Sequence, residues 1–358
     1  MNQIAPANST IDHDQTRMKS KLLMISTDRS LFEEGSAVRA RQATYAENWD
    51  EVHIVVFQLA KAAKACPDNS RTRVEISRNC FVYSTESHYR INYVHDAIRL
   101  GNDLVRKNGI THLTCQDPSL TAKVGVALKK MYSLPLEIQV HGDIGSPYFT
   151  FTFTNRIRKF LAKKYLPQAD SIRVVSSRIR EFLIRTWGIS EDKIRIEPIR
   201  VDVEWLKEAP IIVNLHSKYP QFNKIVLMAG RLEAEKNFTL GIQAWAKVVA
   251  RNVKAGLVIV GRGSEEDCLK TMVKALGLED SVKFESWADP ATLTSYYKTS
   301  DVFLNTSLFE GYGLTLVEAQ TVGCRVISTD VGIARESGAR IVSHDVDDVA
   351  RAIIDYLN

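Results

Sequence analysis

The sequence predicts an α/β protein built from two Rossmann-like, doubly wound domains with a cleft between them. Three observations carry that reading. Short β-rich runs alternate with helix-period patterns along the whole chain, a proline-containing segment interrupts the alternation past the middle, and glycine-bearing or polar turns follow the carboxyl ends of strands in both halves.

In the first half, strands are expected at Leu22 to Ser26, Val52 to Phe57, Cys80 to Tyr83, His112 to Cys115, Leu136 to Val140 and Ile172 to Val175. In the second half they are expected at Ile225 to Ala229, Leu257 to Val260, Val282 to Glu285, Val302 to Asn305, Val326 to Ser328 and Arg340 to Val342. The stretch from Ile199 to Asn223, with Pro210 and Pro220, breaks the pattern. It places a linker at 201–222, between an N-terminal domain over 21–200 and a C-terminal domain over 223–358. Residues 1–20 are expected to be a disordered tail, with Met18 as a candidate functional start.

With 358 residues, 45% of them apolar and 25% charged, the chain has ordinary globular composition and room for two cores. A net charge of +5 is mild, and no basic run interleaved with aromatics supports nucleic-acid binding. The five cysteines are scattered without a Cys-x-x-Cys pair, which fits reduced thiols in a cytosol. The polar first residues lack the apolar core of a signal peptide, and no run is long enough to cross a membrane. The expected location is the cytoplasm or the inner face of its membrane. No cluster has the spacing of a metal site, and no Gly-x-Ser-x-Gly nucleophile motif is present.

The richest stretch runs from Ser307 to Ala319, where Glu310 and Glu318 bracket a turn containing Gly311 and Gly313 that leads into an apolar helix. The glycines allow a tight turn and a close approach to a ligand, and the N–H groups of a helix starting near Gly313 form an anion site. Glu318 then lies in the second helical turn, about 7 Å further along the axis. Two carboxylates so placed can hold hydroxyls on either side of a diphosphate; alternatively, Glu310 is a surface loop residue and Glu318 a helix residue with a structural partner.

Gly261-Arg262-Gly263-Ser264 follows the strand ending at Val260 and precedes a helix with Cys268, Leu269, Met272, Val273 and Leu276 on one face. It is a βα turn able to take a nucleotide, or simply a tight turn. Glu266 stands where a dinucleotide fingerprint needs a third glycine, which disfavours nicotinamide chemistry. Arg231 and Lys236 follow the strand ending at Ala229, ahead of a helix carrying Leu240, Ile242, Ala244 and Trp245. Beside a cleft, such a pair stabilises charge on a departing diphosphate without a metal; on an open surface, it makes local ion pairs. His141 ends a buried strand and enters a loop with Gly142, a placement that favours function over structure.

Asn155 to Tyr165 reads as a helix with Ile157, Phe160, Leu161 and Tyr165 on one side and Arg156, Arg158, Lys159 and Lys163 elsewhere. Lys164 falls on the apolar side, which favours a solvated surface helix over one resting on anionic lipid and leaves only weak peripheral membrane contact.

The second half resembles the family-four retaining glycosyltransferases of GT-B fold (glycosyl transferases group 1). The resemblance is carried by Gly230-Arg231 with Lys236, by the Gly261-x-Gly263 turn, and by Ser307-x-x-Glu310-x-Tyr312-Gly313-Leu314 with Glu318-Ala319 and Gly323. The first half matches more loosely, through Gly35, His141-Gly142 and Val175-Ser176. The resemblance implies that Arg231 and Lys236 bind a donor diphosphate, Glu310 the sugar and Glu318 the ribose hydroxyls. It further implies that the amides of Gly313, Leu314 and Thr315 face phosphates or sugar, that Gly35 allows close approach to the diphosphate, and that His141 lies beside the anomeric carbon. In such enzymes the leaving phosphate is thought to help deprotonate the acceptor on the same face, with no protein nucleophile and no metal cofactor.

Two departures stand out. Pro198-Ile199-Arg200-Val201-Asp202 replaces the usual Pro-Asn-Gly-Val-Asp, and Trp287 lies near where a glycine is common. Relatives also usually continue past the helix with Ile353, Ile354 and Leu357, crossing back to the first domain.

The expected activity is transfer of a hexose from a UDP- or GDP-sugar to a hydroxyl of a glycan or lipid-linked glycan. The alternatives are a non-catalytic GT-B-like subunit that binds nucleotide or glycan, and a GT-B enzyme of other chemistry such as an epimerase or phosphorylase.

Overall fold

The computed structural model describes residues 20–62, 73–251 and 254–358. The expected N-terminal tail, apart from Ser20, and Cys66 lie outside them. Two compact units are present, one running through Gln116 and resuming over Thr121–Leu136, the other made of Asp117–Leu120 and Glu137–Asn358.

In the first unit, strands β1 (Lys21–Ser26), β2 (Glu51–Val56), β3 (Arg73–Ser77), β4 (Cys80–Ser84) and β5 (His112–Cys115) lie in the order β3-β4-β2-β1-β5. All pair in parallel except β3 with β4, an antiparallel pair whose register shifts between Glu75 and Ser77. Strand β3 was not expected, because its pattern of Arg73, Glu75 and Ser77 is polar and its residues are half-exposed. Leu22, Met24, Val52, Ile54, Val56 and Val82 form this unit's core.

The second unit contains β6 (Leu136–Val140), β7 (Ser171–Val174) and the three-residue β8 (Ile194–Ile196), paired in parallel as β6-β7-β8. It also contains β9 (Lys224–Ala229), β10 (Ala255–Val260), β11 (Val282–Glu285), β12 (Val302–Asn305), β13 (Arg325–Thr329) and β14 (Arg340–Val342). These form an all-parallel sheet of order β11-β10-β9-β12-β13-β14.

Its strands are apolar on both faces, as a sheet covered on both sides requires. Val226, Met228, Leu257 and Ile259 pack into one core with Trp245 and Ile353, whereas Ile225, Leu227, Val258 and Val260 pack into the other with Tyr297 and Leu316. The period of two along β9 and β10 thus builds both layers at once.

Between Ile199 and Asn223 the chain forms two short helices, Val203–Glu208 and Leu215–Lys218. Asp202 caps the first by accepting from Trp205 N at 2.9 Å. The Ile212 and Leu215 amides donate to Ser295 Oγ and Thr299 Oγ1 of helix Pro290–Thr299, fixing the segment beside the sheet. In helix Glu266–Ala275, Leu269 and Val273 are buried as expected. Cys268 and Leu276, expected on the same face, are exposed. The four described cysteines are all free.

Candidate active site

Winding reverses between β9 and β12, neighbours whose connections leave in opposite directions. Ligands bind open parallel sheets beyond the carboxyl ends of strands at such a switch point. The loops that leave these two strands carry Arg231, Lys236 and Glu310.

The two loops are joined along their backbones. Leu308 N donates to Glu235 O at 2.8 Å, and Thr306 Oγ1 donates to Asn237 O at 2.8 Å. Leu232 is buried in the core and anchors the β9 loop. Lys236 is thereby held against the β12 loop, and its Nζ donates to Glu310 Oε1 in an ion pair whose side chains are only 18% and 14% exposed. Ser307 Oγ donates to Glu310 Oε1 at 2.8 Å and also lies 2.7 Å from Asn305 Oδ1. Glu310 is therefore not the loose surface carboxylate that its loop position allowed.

Arg231 differs. It reaches Glu235 at 2.8 Å, four residues on, with its side chain 63% exposed. Such exposed pairs contribute little to stability. The guanidinium is free to change partner.

The glycines have more specific reasons than flexibility. A Cβ on Gly311 would lie 1.7 Å from the His141 carbonyl oxygen, so the Glu310 turn closes onto the loop after β6. Gly311 makes room for a backbone. A Cβ on Gly261 would lie 1.9 Å from Gly230 O, and one on Gly263 would lie 2.2 Å from Leu232 O. The β10 turn is thus docked on the β9 loop, with Leu232 N donating to Arg262 O at 2.9 Å and Ser264 Oγ donating to Glu233 at 2.7 Å.

Gly313, buried at φ 94°, precedes helix Leu314–Thr321, whose first turn no side chain caps. The amides of Leu314 and Thr315 belong to the first turn of this helix, where N–H groups lack intrahelical acceptors. On the same helix, Glu318 Oε2 accepts from the buried Tyr297 hydroxyl at 3.1 Å. Burial pushes the Glu318 carboxyl above its usual range, and the Tyr297 hydrogen bond pulls the other way. Oε1 is the remaining acceptor. The tyrosine was not legible as a partner, since only folding brings helix Pro290–Thr299 beside Glu318.

His141 follows β6 and is open to solvent, yet enough protein surrounds its ring to move its pKa down to about 4. Burial is the main cause, reinforced by the Arg173 guanidinium. His141 Nε2 faces Gln139 Oε1 at 2.9 Å, and Arg173 donates to that same oxygen at 2.7 Å. Gln139 Nε2 donates to Glu137, which fixes the amide's orientation and makes His141 Nε2 the donor. The ring is neutral at pH 7, with Nδ1 as its acceptor.

Around this site, Phe149 packs edge-on against Phe309 with centroids 5.5 Å apart. Arg178 pairs with Asp330, and Ser177 donates to Glu336, tying helix Ser177–Trp187 to the loop after β13. A cavity of about 380 Å³ is lined by Arg178, Phe182, Arg185, Glu336 and neighbours, and none of the expected donor-binding residues lines it. Gly35, in the first unit, has φ 77° and open space where a Cβ would stand. It precedes Ser36, which caps helix Ala37–Ala46. Trp287 is 61% exposed. Among the described residues, no group of three or more His, Cys, Asp or Glu could hold a metal ion.

Comparisons with known proteins agree with this arrangement. Residues 216–358 match the family model of glycosyl transferases group 1, and residues 45–205 match that of Glycosyltransferase Family 4. An uncharacterized glycosyltransferase of Methanocaldococcus jannaschii is 28% identical over 70% of this chain and 64% of its own length. The phosphatidyl-myo-inositol mannosyltransferase of Mycolicibacterium smegmatis is 31% identical over 47% of this chain and 44% of its own length. The chain thus spans roughly half to two thirds of these relatives.

Among solved structures, the sucrose-phosphate synthase of Thermosynechococcus elongatus superposes with a TM-score of 0.74 at 21% identity, over 94% of this chain and 90% of that one. HepE of Anabaena, in complex with UDP and glucose, superposes with a TM-score of 0.69 at 18% identity, over 94% and 89%. With two family models matching in order along the sequence and GT-B structures covering nearly all of it, the chain belongs to the family-four glycosyltransferases of GT-B fold.

Proposed function

We propose that this chain transfers a hexose, with retention at the anomeric carbon, from a UDP- or GDP-sugar to a hydroxyl of a glycan or lipid-linked glycan. The transfer needs no metal, and the working place is the cytoplasm. The observation that carries the reading is the Lys236–Glu310 ion pair at the β9/β12 switch point, beside the uncapped start of helix Leu314–Thr321. Ammonium, amides and carboxylate together match a sugar diphosphate. Lys236 turns to the diphosphate, Glu310 is released to accept from sugar hydroxyls, and the helix start takes the second anionic group.

Arg231, exposed and exchangeable, adds charge as the leaving group departs. Glu318 keeps Oε2 on Tyr297 and offers Oε1 to the ribose hydroxyls. The neutral His141 places an acceptor nitrogen near the anomeric carbon without adding positive charge there. Catalysis then consists of positioning and electrostatic stabilisation, with the leaving phosphate taking the acceptor's proton. The HepE complex, which contains UDP and glucose, and a relative named as a phosphatidyl-myo-inositol mannosyltransferase support the donor and acceptor classes.

The test is a transfer assay with the purified chain, UDP- and GDP-hexoses and a panel of glycan and lipid-linked acceptors. Glu310→Gln should keep the fold and lower turnover on the order of 100-fold. Unchanged turnover in that variant would remove Glu310 from the mechanism, and an isomer or sugar phosphate as product would replace transfer with another chemistry.

A further inference from the structure

Helix Phe153–Tyr165 turns its apolar residues outward. Phe153 is 75% exposed, Ile157 44% and Phe160 67%, at spacing i, i+4, i+7, and Phe151 in the preceding turn is 66% exposed. Only Ala162 and Tyr165 of this helix are buried. The expected surface helix is present, but Ile157 and Phe160, expected on one side with Leu161 and Tyr165, stand exposed with Phe153 in one uncovered stripe, whereas Leu161 is half-buried and Tyr165 buried.

The surrounding charge has one sign. Arg156, Arg158, Lys159, Lys163 and Lys164 lie in this helix, and no Asp or Glu occurs between Ile144 and Ala169. Lys159 is drawn inward over the Phe182 ring, and Arg156 ties the preceding turn by donating to Thr150 O at 3.0 Å. Arg158, Lys163 and Lys164 are exposed.

We propose that this face docks on an anionic phospholipid surface, the aromatic and aliphatic stripe entering the headgroup boundary and the cations lying among phosphates. An interfacial helix has this composition, apolar on one side and rich in Lys and Arg beside it, and Lys164, which continues the stripe at i+11 from Phe153, carries its ammonium out to the phosphates on a long apolar stem. At 13 residues it lies on a bilayer and does not cross one. A second copy of the chain would oppose these cations with an identical set, so charge complementarity selects the lipid. The same turn reaches the candidate site: Phe151 faces out, whereas Phe149 is buried against Phe309, the neighbour of Glu310. Docking here would hold the site at the surface where a lipid-linked acceptor resides, although the docking itself does not depend on the transfer reading.

The experiment is sedimentation of the full chain with large vesicles, either of phosphatidylcholine alone or of equimolar phosphatidylcholine and phosphatidylglycerol. Binding is expected only to the anionic vesicles and should weaken with added salt. Phe153→Ser with Phe160→Ser should abolish it while the melting temperature and circular dichroism are retained. Lys163→Gln with Lys164→Gln should lower the partition coefficient about fivefold per charge. Absence of wild-type binding to anionic vesicles, or equal binding by both double variants, overturns the proposal. So does a wild-type dimer in light scattering that the Phe153→Ser, Phe160→Ser variant dissolves, because a second copy would then be the occupant.

Discussion

Two adjoining regions use apolar and polar residues in opposite ways. In the joined loops after β9 and β12, ion pairs, hydrogen bonds and docked backbones hold nearly every group, and Gly311 leaves room for another backbone. In the stretch Pro147–Tyr165, Phe151, Phe153 and Phe160 stand in solvent beside charges of one sign. The first region is organised before any ligand arrives, as electrostatic catalysis requires. The second is left uncovered by the described residues. A residue's type therefore says little until its cover is known: Lys236 and Lys163 are the same side chain in unlike roles.

The largest effect that sharpens this contrast is on stability. Trp245 is fully buried and donates to Ser281 Oγ, so Trp245→Ala should cost about 3–5 kcal/mol in denaturant unfolding. Phe160→Ser should change stability by no more than about 0.5 kcal/mol. If Phe160→Ser proved as costly, the stripe would be core and the contrast would fail.

Next comes Gly311→Ala, where the added Cβ meets the His141 carbonyl and neither backbone yields easily. It should cost about 1–3 kcal/mol and lower turnover along with stability. Normal melting and activity in that variant would mean that the loop after β6 and the Glu310 turn are not packed together.

A smaller effect separates the two cations. Lys236→Met should weaken UDP or GDP binding about tenfold by calorimetry, and Arg231→Met by only a few-fold, since the exposed guanidinium is less desolvated. Equal losses would erase the distinction between the buried and the open pair.

The last effect is a pH dependence. His141 titrates near 4 in the folded chain against an ordinary 6.5, so the unfolded chain binds the extra proton between those values. Stability from this group is full above pH 6.5 and is lost as pH falls toward 4. His141→Asn should flatten that slope in urea unfolding compared at pH 7 and about pH 4.5, and an unaltered slope would contradict a depressed His141.

Every strand expected from the sequence is present, because buried parallel strands leave continuous apolar runs. The two that were missed, β3 and β8, are respectively polar and only three residues long, so neither leaves such a run. Lys236, Glu310 and Glu318 were legible from glycine punctuation and strand ends. Two surrounding groups were not: Tyr297 beside Glu318 and Arg173 near His141 depend on which helix or strand folding sets beside them. The His141 backbone beside Gly311 was not legible either, because a sequence shows that a side chain is missing but not what fills the gap. The exposed stripe of helix Phe153–Tyr165 was not legible for a related reason, since periodicity shows which residues share a face and not what covers it.

The most direct measurement is a thermal-shift series with UDP- and GDP-hexoses on the wild-type chain and on Glu310→Gln. At ligand about 100 times its Kd, bound donor should add about 2.7 kcal/mol and raise the wild-type melting temperature by several degrees, with the shift for the same sugar reduced in Glu310→Gln. No shift with any nucleoside diphosphate sugar, or an identical shift in the variant, would contradict a donor held at the β9/β12 switch point through Glu310.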